Sequence, residues 1–420
     1  MNLLFISNLF PSSKQPTKSL YNLYLLNALQ NIGWTVEIIN PLPYCPIIDS
    51  YFRKISRPPT HETLNELSVS HPVFFYTPGC LIEKHYWFYR LSITKSMKAG
   101  IKRLKERSPD PESPIQVMLG FIYPDAVAMA PICQKLKLNY SVRVNGSDFR
   151  LRTHQPKFRS LIKQCLHEAP QIFCPGYRLK EDMVKEGIDE TKIHAFRNGV
   201  DTSIFYFSQD EQPEEVQNRN DIQEKSILFA GNLVDVKKVD RLLKAFAILI
   251  KDQLVSQNMN DSIRFRLDIV GDGALLSKLK ALVQTLGLEE QVNFPGRELP
   301  KQIASRMRKA DCLCLCSSSE GMPNIVIEAL ACGCPVVATD VGEVPYIVEN
   351  GINGYSVATD KQSETEIIEQ LHIGLRKVLF GKWDRQHIAD RMRDYTWATA
   401  AETIKSVVNL TNNTQEKLSR

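Results

Sequence analysis

The stretch Cys312–Asp340, CLCLCSSSEGMPNIVIEALACGCPVVATD, decides the fold. Residues Cys312 to Cys316 read as a short strand buried in a sheet. Ser317, Ser318, Ser319, Glu320 and Gly321 form a turn, and Met322-Pro323-Asn324 opens an apolar helix running through Leu330. The helix stops at Gly333, with Pro335 just beyond it, and Pro-Val-Val-Ala-Thr follows as a second buried strand. Strand, turn, helix and strand make one unit of a parallel sheet.

The chemistry of this unit sits in its turn. A helix start leaves several backbone N–H groups without intrahelical partners and carries about half a positive charge. Gly321, Met322 and Asn324 are therefore placed to present amides to an anion such as a diphosphate. Pro323 suits the first helical turn, where its missing N–H costs little. Glu320 and Glu328, eight residues apart, bracket the site. A carboxylate facing phosphate is costly unless it binds something else, and sugar hydroxyls are the obvious donors. Taken singly, Glu320 also reads as a residue that favours the helix dipole, and Glu328 as a solvated helix residue.

The run E-G-M-P-N-I-V-I-E, followed by A-L-A-C-G-C-P-V-V-A-T-D, resembles the signature of family 4 glycosyltransferases, retaining enzymes of the GT-B architecture that use nucleoside diphosphate sugars. The resemblance implies that Glu320 contacts the donor sugar, that Glu328 holds the ribose hydroxyls, and that the amides between them hold the diphosphate. It covers most of the chain. Gly146-Ser147-Asp148 matches a turn near acceptor and donor sugar, with Asn145 where a histidine is common. Asn198-Gly199-Val200-Asp201 matches the end of the family's first domain, and Lys237 matches a lysine on the donor phosphates. Asn232 stands where the family has an arginine, leaving Lys238 or Arg241 to compensate. Arg297 falls beside the nucleotide base. Glu320, Asp148 and Lys237 are thus the implied catalytic residues. The first turn, Pro11–Ser19, lacks the family's glycines and offers Lys14 and Lys18 instead.

Length and patterning agree with such a protein. A chain of 420 residues is too long for one compact core. Strands and helices alternate in both halves, which implies an α/β fold of two doubly wound, Rossmann-like sheets facing across a cleft. We expect an acceptor-binding domain over 1–205, a nucleotide-sugar domain over 206–385, and a helical segment, 386–420, crossing back to the first. The polar run 208–225 reads as an exposed connector.

The opening MNLLFISNLF lacks a basic region and reads as a strand. The uncharged stretch Pro114–Cys133 is broken by Pro124 and Asp125, which argues against a membrane span. The ten cysteines lack C-x2-C spacing and read as small buried hydrophobes. There is no Asp-x-Asp cluster, and neither metal nor other cofactor is expected.

Up to Phe205 there are 26 Lys and Arg against 17 Asp and Glu; beyond it, 26 against 30. A basic first half suggests an anionic partner there. In the segment Glu83–Arg107, Trp87, Phe88, Leu91, Met97, Ile101 and Leu104 fall near one helical face, with Lys95, Lys98, Lys102 and Lys105 on another. Such a helix either lies on an anionic membrane surface or packs its apolar side on the sheet.

The sequence reading is a retaining hexosyl transfer from a nucleoside diphosphate sugar to a glycan or lipid-linked glycan, in surface polysaccharide biosynthesis. The setting is cytoplasmic, with an anionic membrane surface as a candidate partner and nucleic acid excluded. The alternatives are a nucleotide-sugar epimerase or phosphorylase of the same fold, and a GT-B binding or scaffold protein without catalysis.

Overall fold

The computed structural model describes residues 1–45, 57–153, 155–211, 223–255 and 263–419. The chain divides into two compact units, Met1–Gly199 with Trp397–Arg420, and Val200–Thr396. The short helix Arg385–Asp390 belongs to the second unit. Trp397–Ser419 belongs to the first, where Trp397, Ala401 and Ile404 share a core with Leu25 and Leu29 of the helix Leu20–Asn31. Most of the polar connector 208–225 lies outside the described residues.

The first unit holds β1 (Asn2–Ile6), β2 (Thr35–Ile39), β3 (Leu42–Tyr44), β4 (His61–Leu64), β5 (Leu67–Ser70), β6 (Val73–Phe75), β7 (Ile115–Leu119), β8 (Asn139–Arg143), β9 (Ile172–Pro175) and β10 (Ile193–Phe196). Eight of them form one sheet in the order β10-β9-β8-β7-β1-β2-β5-β4, parallel except for β4. Strand β1 lies wholly in the interior. Its Leu4 and Ile6 join the core on one face, and Leu3 and Phe5 the core on the other. An apolar run without polar alternation is what a strand covered on both faces requires.

Two features of this unit escape the sequence pattern. Strands β3 and β6 form a separate two-stranded parallel sheet. Strands β4 and β5 form a hairpin whose turn residues, Asn65 and Glu66, both have positive φ (46° and 67°). Such a turn is normally signalled by Asn-Gly, and a glutamate in the second place hides it.

The helix His85–Arg107 packs with His85, Tyr89, Ile93, Met97, Gly100 and Leu104 inward. This stripe is rotated from the expected one, because spacing by four from His85 lays Tyr89, Ile93 and Met97 along the core. It leaves Trp87 and Leu91 in solvent.

The second unit holds β11 (Gln223–Ala230), β12 (Ile263–Val270), β13 (Val292–Gly296), β14 (Cys312–Leu315), β15 (Val336–Thr339) and β16 (Gly354–Val357). They form one parallel sheet in the order β13-β12-β11-β14-β15-β16. Numbered from β11 this is 3-2-1-4-5-6, the doubly wound Rossmann order. Chain order reverses between β11 and β14, so the loops leaving these two strands diverge and open a crevice at their carboxyl ends. Cys312, Cys314, Cys316, Cys332 and Cys334 are all buried and unpaired, filling apolar space on either side of the sheet.

The turn Gly271-Asp272-Gly273 is a backbone-contact device. Gly271 has φ +140°, and a Cβ there would lie 1.9 Å from the carbonyl oxygen of Gly231; one at Gly273 would lie 2.4 Å from that of Leu233. Gly287, also at positive φ (+68°), meets nothing within 4 Å. Gly287→Ala therefore carries only the left-handed penalty, about 1–2 kcal/mol. Gly271→Ala must also displace backbone and is expected to destabilise the protein by about 3 kcal/mol or more. Denaturant unfolding of both variants checks this, and equal losses would contradict it.

Candidate active site at the switch point of the second unit

The loop leaving β11 is held from both sides. The N–H of Gly231 bonds to Val270 O at 3.0 Å, that of Leu233 to Asp272 O at 3.0 Å, and that of Leu275 to Leu233 O at 3.0 Å. On the other flank the N–H of Ser318 donates to Val236 O at 2.8 Å, and the Cys316 thiol donates to Lys237 O at 3.2 Å. Lys238, at φ 45°, closes the tight turn Asp235–Lys237. Lys237 is thus aimed by backbone contacts at the turn that follows β14.

There its Nζ donates to Glu320 Oε1 at 2.6 Å, and the Ser317 hydroxyl donates to the same oxygen at 2.7 Å. Ser317 is buried, and its own carbonyl accepts from Thr339 Oγ1 at 2.7 Å. The loop after β15 supports the turn from behind. The Glu343 N–H donates to Gly321 O at 3.1 Å, and Gly342 lies so close that a Cβ would sit 2.2 Å from that oxygen. The side chains of Lys237 and Glu320 are 22% and 14% exposed. Water therefore screens this pair less than it would a contact on the open surface.

The helix Asn324–Ala331 begins beside this pair, with Pro323 as its N-cap residue and not inside its first turn. Gly321, Met322 and Asn324 are half-buried at its start. Glu328, one turn further on, is also half-buried. Loss of hydration, and then the Asp201 carboxylate, push its carboxyl up to about 7.

The remaining sequence candidates of this unit divide. Asn232 is exposed in the turn after Gly231. Lys238 is committed to Asp235 at 3.0 Å, and Arg241 is buried in an ion pair with Glu364. Neither is free to replace an arginine at position 232. Arg297 is exposed, 3.7 Å from Asp272. Among the described residues no cluster of three His, Cys, Asp or Glu side chains is placed to hold a metal ion. Ser317, Thr339 and Gly342 were not singled out by sequence. Three consecutive serines do not say which one turns inward, and a glycine's close neighbour is not visible in a pattern.

Asp148 lies in the first unit, at the carboxyl end of that sheet. It is 1% exposed, and its carboxylate accepts the N–H groups of Asn145 at 2.9 Å, Phe149 at 3.0 Å and Ile122 at 3.2 Å. Burial pushes it up to about 6. Its geometry ties the turn after β8 to the loop after β7, an arrangement that holds loops in place.

Asp125 is a second buried carboxylate here. It accepts from the Tyr89 hydroxyl at 2.8 Å and faces Ser7 and the Asn8 amide, and burial raises it to about 7. Arg143, which sequence did not single out, is fully buried between the rings of Tyr21 and Phe196, 5.3 and 5.4 Å away, with Nη1 on Asn22 Oδ1.

The glycine-free loop after β1 is held by other means. Ser19 adopts the left-handed conformation at φ 52°, and Lys18 Nζ folds back onto Asn8 O at 2.8 Å. Glu62 accepts from the Ser13 N–H at 3.1 Å and is 2.8 Å from His71 Nε2. Of the two loop lysines, Lys18 is turned inward, and burial lowers its pKa.

Two doubly wound sheets, the second with an ion pair and a helix start at its switch point, define a GT-B protein. The chain matches the family model of group 1 glycosyl transferases over residues 210–377. It is 26% identical over 356 residues, 82% of each chain, to a putative teichuronic acid biosynthesis glycosyltransferase, TuaC, of Bacillus subtilis. Among solved structures it superimposes on sucrose-phosphate synthase from Thermosynechococcus elongatus with TM-score 0.72 at 16% identity, covering 99% of this chain and 100% of that one. Anabaena Alr3699/HepE, solved in complex with UDP, gives 0.65 at 14% identity, covering 97% and 100%. At these identities the structural likenesses speak for the fold.

Glu328 gives this site a pH signature. Its carboxyl titrates near 7 in the folded protein against an ordinary value of 4.5, so the native state holds the proton more tightly than the unfolded chain. The resulting stability is full below about pH 4.5 and is lost as pH rises through 7. Glu328→Gln, neutral at every pH, should therefore gain stability relative to wild type between pH 5 and 8, by about 1–3 kcal/mol. Denaturant midpoints across that range check it, and a pH-independent difference would contradict it.

Proposed function

We propose that the second unit binds a nucleoside diphosphate sugar at the β11/β14 switch point and that the protein transfers the sugar, with retention, to a glycan or lipid-linked glycan in surface polysaccharide biosynthesis. The observation that carries this reading is the Lys237–Glu320 pair at 2.6 Å beside the helix start at Asn324. An ammonium has three donors, of which Glu320 takes one. The others suit a diphosphate seated on the amides of Gly321, Met322 and Asn324, where the helix dipole also favours negative charge.

Glu320, fixed by Lys237 and Ser317, accepts from hydroxyls of the donor sugar, and Glu328 accepts from the ribose. Asn232 and Arg297 sit on the rim, as neutral and cationic neighbours of the nucleotide. In the transfer the anomeric C–O bond to the diphosphate breaks, and the acceptor oxygen forms its bond on the same face. The acceptor proton passes to the departing phosphate oxygen. Lys237 and the helix amides stabilise the charge that develops on the diphosphate, so the chain's own groups supply what a metal would otherwise provide. Asp148 shapes the loops at the acceptor-side pole of the first unit. The setting we propose is cytoplasmic, at the inner face of the membrane. The name of the Bacillus subtilis relative supports the pathway class, and the UDP in the Anabaena structure supports a uridine donor as the first to test.

Calorimetric titration with a panel of nucleoside diphosphate hexoses tests the reading. One donor should bind, and Lys237→Ala and Glu328→Ala should each weaken it about tenfold to a hundredfold, the value of a hydrogen bond to a charged group. A diphosphate diester has no proton that titrates near neutrality, so affinity should rise with pH through about 7 as Glu328 ionises. Absence of binding by every donor, or variants that bind like wild type, would reject the site and favour a binding or scaffold role. Release of free sugar phosphate or an epimerised donor without acceptor would instead favour the phosphorylase or epimerase reading.

A further inference from the structure

We infer that the first unit docks on a bilayer of anionic lipid through an apolar knuckle built from β6 and the first turns of the helix His85–Arg107. The inference rests on the lipid-linked acceptor proposed above and assigns the surface that would meet its membrane. Val73 and Phe75 point outward from β6, while Phe74 between them is buried against Tyr89 with rings 4.9 Å apart. Phe75 meets Phe88 edge-on at 5.3 Å, and Leu81 and Ile82 stand exposed just ahead of the helix. Trp87 is 54% exposed and Leu91, one turn on, 62%. Single exposed apolar residues are ordinary, but a contiguous group of this kind marks a contact surface.

Charge decides what the contact is with. Steps of three or four residues carry the Trp87–Leu91 face on into Lys95, Lys98 and Lys102, all exposed, and Lys84 precedes it. The helix holds seven Lys and Arg and one acid, Glu106. Its arginines at 103 and 107 turn inward to the buried Glu37, at 2.7 and 2.8 Å, while the lysines stay outward. A tryptophan and aliphatic tip beside a lysine row fits an anionic headgroup layer over acyl chains: the rings seat at the interface, and each lysine near the surface adds about 1 kcal/mol. Among the described residues no helix is long and apolar enough to cross a membrane, so this surface would supply attachment without insertion of a span.

The knuckle also borders the acceptor-side pole. The Tyr123 hydroxyl donates to Ile82 O, Tyr86 and Tyr123 stack edge-on at 6.5 Å, and Ile122, next to Tyr123, donates its N–H to Asp148. A headgroup held at the knuckle therefore lies next to the loops at the carboxyl end of the first sheet.

Co-sedimentation of the whole protein with vesicles of phosphatidylglycerol and phosphatidylcholine, against pure phosphatidylcholine, tests the inference. Wild type should pellet with the anionic vesicles and lose that partitioning as salt rises. Its tryptophan emission should shift to the blue, because of its four tryptophans Trp34 and Trp397 are buried, Trp383 is half-buried and Trp87 alone is exposed. The double variant Trp87→Ser/Leu91→Ser and the triple variant Lys95→Glu/Lys98→Glu/Lys102→Glu should each lower partitioning about tenfold or more. Both should keep the wild-type circular dichroism spectrum and unfolding midpoint, which shows that the first unit folds. No pelleting, pelleting indifferent to headgroup charge, or variants that pellet like wild type would overturn the docking surface. Vesicle binding uses no donor, so it stands or falls separately from the transferase reading.

Discussion

The second unit's pole depends on one ion pair that spans a reversal in strand order. The loops after β11 and β14 leave the sheet in opposite directions, and Lys237 and Glu320 rejoin them at 2.6 Å. Such a pair contributes little net stability, since dehydrating two charges offsets most of their attraction. What it does is hold a cation and a carboxylate at fixed positions beside a helix start. The surrounding backbone makes that placement rigid. Gly271, Gly273 and Gly342 let three loops approach to distances at which any side chain would collide, so the β11 loop is clamped between the β12 loop and the β14 turn.

The first unit solves the matching problem with buried carboxylates. Asp148 gathers three backbone N–H groups from two loops, and Asp125 takes the Tyr89 hydroxyl, so each is raised by burial yet keeps hydrogen bonds. Gly120 allows the β7 loop to pass the end of β1, where a Cβ would come within 2.6 Å of Ser7 Cβ. Where the resembling family uses glycines after β1, this chain holds Ser19 in the left-handed region and braces the loop with Glu62 and Lys18. The two poles thus differ in kind: one has a half-buried ion pair and a helix start, the other loops fixed by interior charge.

Much of this was legible in sequence because it depends on local pattern. Unbroken apolar strands, glycine stops and the E-G-M-P-N-I-V-I-E turn predicted the sheet of the second unit and the region where Lys237, Glu320 and the helix start meet. What was not legible depends on contacts between distant residues. The outward face of the helix His85–Arg107 was misread because Trp87, Phe88 and Leu91 are as apolar as the residues that pack, and only the neighbouring strands select the buried stripe. Lys238 and Arg241 looked available to replace an arginine until Asp235 and Glu364 were found holding them. The hairpin at Asn65-Glu66 lacks the glycine that announces such turns.

A crystal structure of the protein with a bound nucleoside diphosphate hexose would test the central claim most directly. The account predicts the diphosphate on the amides at the start of the helix Asn324–Ala331, within hydrogen-bond reach of Lys237 Nζ, the ribose against Glu328 and the hexose against Glu320. A donor lodged elsewhere on the second unit, with the Lys237–Glu320 pair unchanged and untouched, would contradict it.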